Sequence, residues 1–368
     1  MAGHHSSRGG RSYTVTYNSK SQWSVLTQKW GSLWPRVLPY CIVNTSLMAA
    51  LQILLVNGID LNIEETGHTF LSLVMAFLLV SRVSTSLARY DAARDALEEM
   101  NKSCRQLVHT VCVYSNTDSS VSAKEWRNQV TYRALLLLRT AMAVIDYNDS
   151  RVKVSQIPEL SGPERRDLQK QLSDKWLHES RTDYEENMRI PIRMSYLVRK
   201  SIRSQEARIK PPLAVIAEGD LYAFVNSFLD GYHSITKLLT TPVPFPLIQM
   251  TATFMWFYVF TVPFALLSAD DTSVLSAVAH CLVAFALTFG FVGMDLISIQ
   301  LDDPFGEDEN DFNNLALAQM AFEDAYLTIQ DVDGVEWADK LRRKMNLSVG
   351  DKVVNANETT WLKGSGSA

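Results

Sequence analysis

Apolar residues in this chain gather in long unbroken stretches rather than at the spacing of one helix face. No Asp, Glu, Lys or Arg occurs from Val37 to Ile59, Thr66 to Ser81, Leu238 to Ala269 or Thr272 to Met294. Those gaps hold 23, 16, 32 and 23 residues, and a helix needs about 20 apolar residues to cross a bilayer. They predict four transmembrane helices, paired near 37–81 and 238–294 around a long polar stretch. The second gap differs from the rest. Its core, Phe70 to Val80, is apolar except for Ser72, then passes through Ser81, Arg82, Ser84, Thr85 and Ser86 into Arg89, Asp91 and Arg94. A lipid-facing helix does not carry Ser, Arg and Thr near its centre without a wet or protein neighbour. RYDAARDALEEM has good helix formers and no Gly or Pro, so the helix is predicted to continue past Met100. One long helix, apolar above and polar below, fits a pore liner. A short span whose Arg82 snorkels to the interface is the plainer alternative.

The polar middle reads as helices. KEWRNQVTYRALLLLRTAMAVID holds an apolar run between helix formers and predicts a buried helix. Residues 147–176 contain Pro158, Gly162 and Pro163 and read as a charged loop entering another helix. Pro211 and Pro212 are placed to begin a helix. There is no internal repeat and no strand-like alternation of useful length, so the fold class is all-α, a membrane protein with a soluble helical domain.

Composition agrees. Charged residues make up 20% of the chain, against about 25% in soluble domains. The net charge of −5 argues against a nucleic-acid partner. Cys41, Cys104, Cys112 and Cys281 form no CxxC pair and read as scattered thiols. The opening MAGHHSSRGGRSYTVTY is too polar for a cleavable signal, so the first apolar gap is expected to direct insertion. The loops inside the two pairs, VNGIDLNIEETGHT and SADDTSV, have no Lys or Arg. Both termini and the middle domain are therefore expected in the cytosol. The expected divisions are 1–34, a cytosolic segment; 35–100, two spans; 101–237, the helical domain; 238–300, two more spans; 301–345, an acidic cluster with helices; and 346–368, a tail.

No Walker P-loop, GxGxxG, HExxH or GxSxG motif is present. His4 and His5 lie in the polar tail, and His68 and His280 are isolated in or near apolar gaps, so they read as packed or interfacial. No nucleophile, base and orienting group assemble, and no enzyme is expected. The densest chemistry is LDDPFGEDENDF, 301–312, with six carboxylates and no basic residue. Pro304 and Gly306 favour a tight turn, and clustered hard oxygen donors suit Ca²⁺. The spacing is not that of an EF-hand. The alternative is an acidic helix start, with Asp311 or Asn310 capping NLALAQMAF. DVDG at 331–334 is too short to enclose an ion.

Together these residues resemble the bestrophins, pentameric anion channels. DPFGEDENDF is similar to that family's acidic cluster after the last span. TTPVPF at 240–245 resembles its entry to the third span, and LSLVMAFLLVSR with SLARYDAAR its pore-lining helix. SYTVTYNS at 12–19 resembles the start of animal-type members, and the match runs in order over roughly 12–345. The resemblance implies a barrel-like homopentamer, with four transmembrane helices per subunit around one central pore, embedded in membrane lipids. The conducted ion would be chloride, with bicarbonate as a second candidate. It places a hydrophobic neck at Leu73, Phe77 and Ser81, where five-fold apolar rings can gate by dewetting. Ser81 departs from the family's aromatic there, which would widen and wet the lower neck; ordinary helix packing is the other reading of Leu73 and Phe77. The cytosolic aperture falls at or near Ile216.

For Ca²⁺ the resemblance implies side-chain oxygens from Asp308 and Asp311 and carbonyls from Gln300 and Asp303. A further carbonyl would come from near Gln22 of a neighbouring subunit. Such a set favours a calcium-responsive member, with Asn310 lowering the site charge. The basic run from Arg189 to Lys210 holds seven basic residues and one acid. Arg189, Arg193, Arg199, Lys200 and Arg203 would gather anions at the inner mouth; a solvated face or a lipid-headgroup contact is the alternative. The plasma membrane or an internal membrane is expected, a thylakoid if the source is photosynthetic. From another class stands a non-conducting membrane-anchored helical scaffold; a secondary transporter is disfavoured because no paired Gly/Pro-broken spans appear.

Overall fold

A computed structural model describes residues 15, 20–63, 65–146, 157, 160, 162, 165–166, 183–267, 273–305 and 310–345. All regular structure among them is helical, in the order α1 (Gln22–Thr27), α2 (Trp34–Val56), α3 (Glu65–Tyr114), α4 (Val121–Ile145), α5 (Asp183–Arg203), a 3₁₀ turn (Ser204–Ala207), α6 (Val215–Thr240), α7 (Phe245–Ala265), α8 (Val274–Asp302), α9 (Asn314–Asp333) and α10 (Val335–Lys344). Four of them, α2, α3, α7 and α8, are long and apolar enough to cross a membrane. α3 runs for 50 residues, roughly 75 Å at about 1.5 Å per residue. It contains no Pro, and Gly67 near its start is its one glycine. Most of the 147–176 stretch lies outside the described residues.

The chain divides into two compact units: Met1–Arg94 with Leu238–Phe312, and Asp95–Lys237 with Asn313–Ala368. In the first, α2 packs on both α7 and α8, and these two pack on each other. One core joins Val37 and Cys41 to Met75, Leu79, Met255, Val259 and Val292; a second joins Met48, Leu51 and Leu55 to Leu267 and Ala284. Polar groups tie the helices where water is scarce. Asn44 Nδ2 donates to Val259 O at 3.0 Å and Thr288 Oγ1 at 2.7 Å. Gln52 and His280 meet at 3.0 Å. His68 lies 3.0 Å from Thr261 Oγ1 and stacks on Tyr258. Both histidines thus sit in packed positions, as their isolation in the sequence suggests. Outward-facing Ile42, Val43, Ile53, Phe257 and Leu282 stay exposed, the surface expected of helices solvated by lipid.

The second unit is built around α4. The apolar run of α4 is buried almost throughout, and α4 packs on α5, α9 and α10. Trp126 Nε1 donates to Ser201 O at 2.9 Å and Asn128 Nδ2 to Trp337 O at 2.8 Å. At Gly231 of α6 a Cβ would stand 2.8 Å from Ala96 O and 2.9 Å from Met100 Cγ. Glycine is what permits that approach. Two local expectations are corrected. Pro211 and Pro212 precede the helix rather than open it, since α6 begins at Val215. The cap of α9 is Asn313, whose Oδ1 accepts from Ala316 N at 3.0 Å, and not Asp311 or Asn310.

Candidate functional site

The pore-liner candidates lie on one side of α3. Leu73 is 69% exposed and Phe77 73%, although this stretch buries Met75, Leu78 and Leu79 on its other side. Ser81, one turn further, is half-buried. Phe70, Val74 and Val80 are also exposed, so the stripe is broad and apolar, turning polar at Ser81, Ser84 and Thr85. Nothing within its unit covers it among the described residues.

The Arg82 that interrupts the apolar pattern does not snorkel. It is buried and ion-paired through Nη1 to Asp295 Oδ1 of α8, with side chains 4% and 11% exposed. Asp295 is the first charge after the fourth apolar gap, which was the one signal in the sequence that could have found it. The pair is incompletely satisfied: Arg82 Nε and, one turn on, Ser86 Oγ are enclosed without a hydrogen-bond partner. Further along α3, Arg89 donates from Nη1 to Thr241 O and from Nη2 to Leu238 O, both at 2.9 Å. That pins the polar half of the helix to the TTPVPF turn before α7.

The acidic turn follows α8. Phe312 N donates to Pro304 O at 3.0 Å, closing the loop, and Phe312 packs on Phe305 and Tyr90 with Arg94 over its ring. Gln300 is half-buried at the end of α8, Asp303 is exposed and Asp311 is buried. Asp308 lies outside the described residues. No three His, Cys, Asp or Glu side chains gather to hold a metal among those described. The turn nevertheless suits a cation: Asp302 Oδ1 is enclosed with no donor, and the remaining ligands implied for Ca²⁺ are largely carbonyls. Gln22 opens α1, capped by Ser21 Oγ accepting from Ser24 N.

In the second unit Ile216 stands in the first turn of α6, 80% exposed beside an equally bare Val215. Beneath it lies a network that the sequence did not announce. Glu218 is buried, and its Oε1 accepts from Tyr222 Oη at 2.5 Å. Its Oε2 accepts from Arg203 Nη1 at 2.9 Å. Gln205 Oε1 in turn accepts from Leu213 N at 2.8 Å, holding the strap before the helix. Burial pushes the Glu218 carboxyl up, but the hydrogen bonds from Tyr222 and Arg203 outweigh it and leave it below the usual range. Burial, then the same carboxylate, pushes the Tyr222 hydroxyl up to about 12.

The basic candidates do not behave as one set. Arg189, Arg193 and Lys200 are exposed on α5, with Arg193 over the Tyr196 ring. Arg199 is half-buried and donates to Asn226 Oδ1 at 2.6 Å. Arg203 is held by both Glu206 and Glu218, so its charge is compensated locally.

Known proteins share this fold. Residues 14–325 fit the family model described as Bacterial/Fungal Bestrophin protein. The fold is similar to a bacterial bestrophin homologue from Klebsiella pneumoniae, at TM-score 0.63 and 17% identity, covering 80% of this chain and 98% of that one. Two point variants of that homologue give TM-scores of 0.64 and 0.61 at 17% and 18% identity, covering 80% and 81% of this chain and 99% of each of theirs. No curated protein matches the chain. With the family model matching most of its length and four apolar helices in its structure, this membrane protein belongs to the bestrophin family.

Proposed function

We propose that this protein is a homopentameric anion channel that passes chloride, with bicarbonate as a second permeant ion, through a neck formed by Leu73, Phe77 and Ser81. The observation that carries this reading is the bare apolar stripe of α3. Leu73 and Phe77 are bulky, one turn apart and exposed, on a helix whose opposite side is packed. In a membrane such a stripe is covered by lipid or by further copies of the chain, and this reading takes the second. Copies around an axis would turn it into stacked rings, and an apolar constriction controls ion flow by whether water fills it. Ser81 makes the lowest ring smaller and wettable. Ile216, bare at the start of α6, supplies the second narrow point. Arg189, Arg193 and Lys200 supply the positive field for anions, with Arg199 and Arg203 contributing less because each already has a partner.

Calcium acts in this reading through the acidic turn. Asp308 and Asp311 would give side-chain oxygens and Gln300 and Asp303 carbonyls, with a carbonyl near Gln22 of a second copy completing the set. A bound Ca²⁺ supplies positive charge that gathers these oxygens and stiffens the turn. The chain's own contribution is a loop already closed at Pro304–Phe312 and attached to the end of α8. Both termini and the helical unit face the cytosol.

The test is a planar-bilayer recording of purified protein in a KCl gradient, with free Ca²⁺ stepped from chelated to micromolar. Current reversing near the chloride potential and appearing with Ca²⁺ supports the pore and the calcium site. Anion current indifferent to Ca²⁺ keeps the pore and reduces 301–312 to a structural turn. Cation selectivity removes the anion assignment, and silence favours a non-conducting scaffold.

A further inference from the structure

A positive charge inside an apolar helix bundle needs a reason. Arg82 follows Ser81 directly, yet at about 100° per residue its side chain leaves α3 roughly 140° round from Phe77. It therefore belongs with Met75, Leu79 and Ser86 on the buried side, and the stripe of Leu73 and Phe77 faces the other way. Its charge is spent on Asp295, so Arg82 does not offer a cationic ring beside the neck. Beside the neck the inward side of α3 is otherwise Met75, Leu78 and Leu79, whose apolar contacts carry no directional preference of their own. The ion pair adds a directional contact beside the neck itself, between the His68–Thr261 contact and the Arg89 hydrogen bonds that hold α3 on either side. The pair is also held less completely than such a role would need for permanence, because Arg82 Nε and Ser86 Oγ have no partner. α8, which carries Asp295, ends seven residues later at Asp302, at the head of the acidic turn.

We infer that the Arg82–Asp295 pair is a rotational latch: Arg82 and Asp295 are positioning residues that set the angle at which α3 presents Leu73, Phe77 and Ser81. The inference rests on the reading of those three residues as the neck. Breaking the pair turns the stripe and changes how far Ser81 is open to water, without removing any residue that faces the pore.

The test measures that opening directly in full-length protein in liposomes. Ser81→Cys is introduced with Cys281→Ser, since Cys41, Cys104 and Cys112 are buried, and its rate of modification by a charged methanethiosulfonate reagent is followed. Asp295→Asn is expected to change that rate by about tenfold, the size of one 1.4 kcal/mol step. Asp295→Glu, which keeps the pair, should stay within about twofold of the parent. Because a lone buried arginine can prevent folding, the apolar pair Arg82→Met with Asp295→Leu is tested alongside. It is expected to assemble but to show the altered rate. Parental rates in both Asp295→Asn and the apolar pair overturn the latch, as does an altered rate in Asp295→Glu equal to that of Asp295→Asn. The outcome is separable from conduction: a parent silent in bilayers whose Ser81→Cys rate still follows the pair overturns the channel reading and leaves the latch standing.

Discussion

Among the described residues each compact unit buries one Arg–Asp pair, and the two pairs are built differently. Arg127 meets Asp333 side-on, Nε to Oδ2 at 2.8 Å and Nη2 to Oδ1 at 2.5 Å. Its Nη1 donates to Ser115 O at 2.6 Å and Asp118 O at 3.1 Å. The side chains are 1% and 0% exposed. Every guanidinium nitrogen there has a partner, which is the condition under which a buried charge is tolerated as a fixed clamp. Arg82 touches Asp295 through one nitrogen and leaves Nε bare. A saturated pair has nowhere better to go. An unsaturated one retains a donor that a water molecule or a different rotamer can satisfy, so the pair in the apolar unit is suited to a setting that changes.

The largest effect should come from the saturated pair. Asp333→Ala strands Arg127 in the core and should destabilise the protein by about 3–5 kcal/mol, read from the denaturant midpoint by circular dichroism. A loss under about 1 kcal/mol would erase the contrast between the two units. Gly231→Ala comes next. Its Cβ meets a backbone carbonyl at 2.8 Å, which cannot swing aside, and a cost of about 1–3 kcal/mol is expected; Gly231→Ala with wild-type stability would show that α6 has slack against Ala96.

The Glu218 network is sharpened by pH. The folded protein holds that carboxyl below its ordinary value. Its stabilising contribution is therefore complete above the unfolded carboxylate pKa of about 4.3 and lost as pH falls through the lower folded value. Glu218→Gln should flatten the fall in stability as pH drops below the unfolded carboxylate value of about 4.3; an unchanged acid limb assigns that fall to other carboxylates. The smallest stability effect belongs to the apolar unit's bare stripe. Phe77→Ala should alter the folding of the subunit by less than about 0.5 kcal/mol, since its ring touches little within it. In bilayer recordings the same change should weaken gating. Unchanged open probability and conductance would take Phe77 out of the gate.

Much of this was legible from residues alone, and the reason is solvent. A bilayer demands runs of apolar residues about 20 long, so α2, α7 and α8 announce themselves, and α3 continues because nothing in its sequence stops it. The acidic turn was visible as composition. Corrections came where local signals compete. Asn310, Asp311 and Asn313 are all competent caps, and only the path of the loop selects Asn313. Pro211 and Pro212 favour a helix start, but Leu213 N is tied back to Gln205, which delays α6 to Val215. Arg203 looked like free charge in a basic run until Glu218, fifteen residues on, was brought to it.

Sequence by itself determined that the chain is helical, that four segments suit a membrane and which family signature it carries, because these depend on periodicity, run length and short motifs. Tertiary structure alone decided which charges are available. Arg82 finds Asp295 across 213 residues and Arg127 finds Asp333 across 206. Electrostatic pairing depends on distance in space, and no spacing along the chain encodes it.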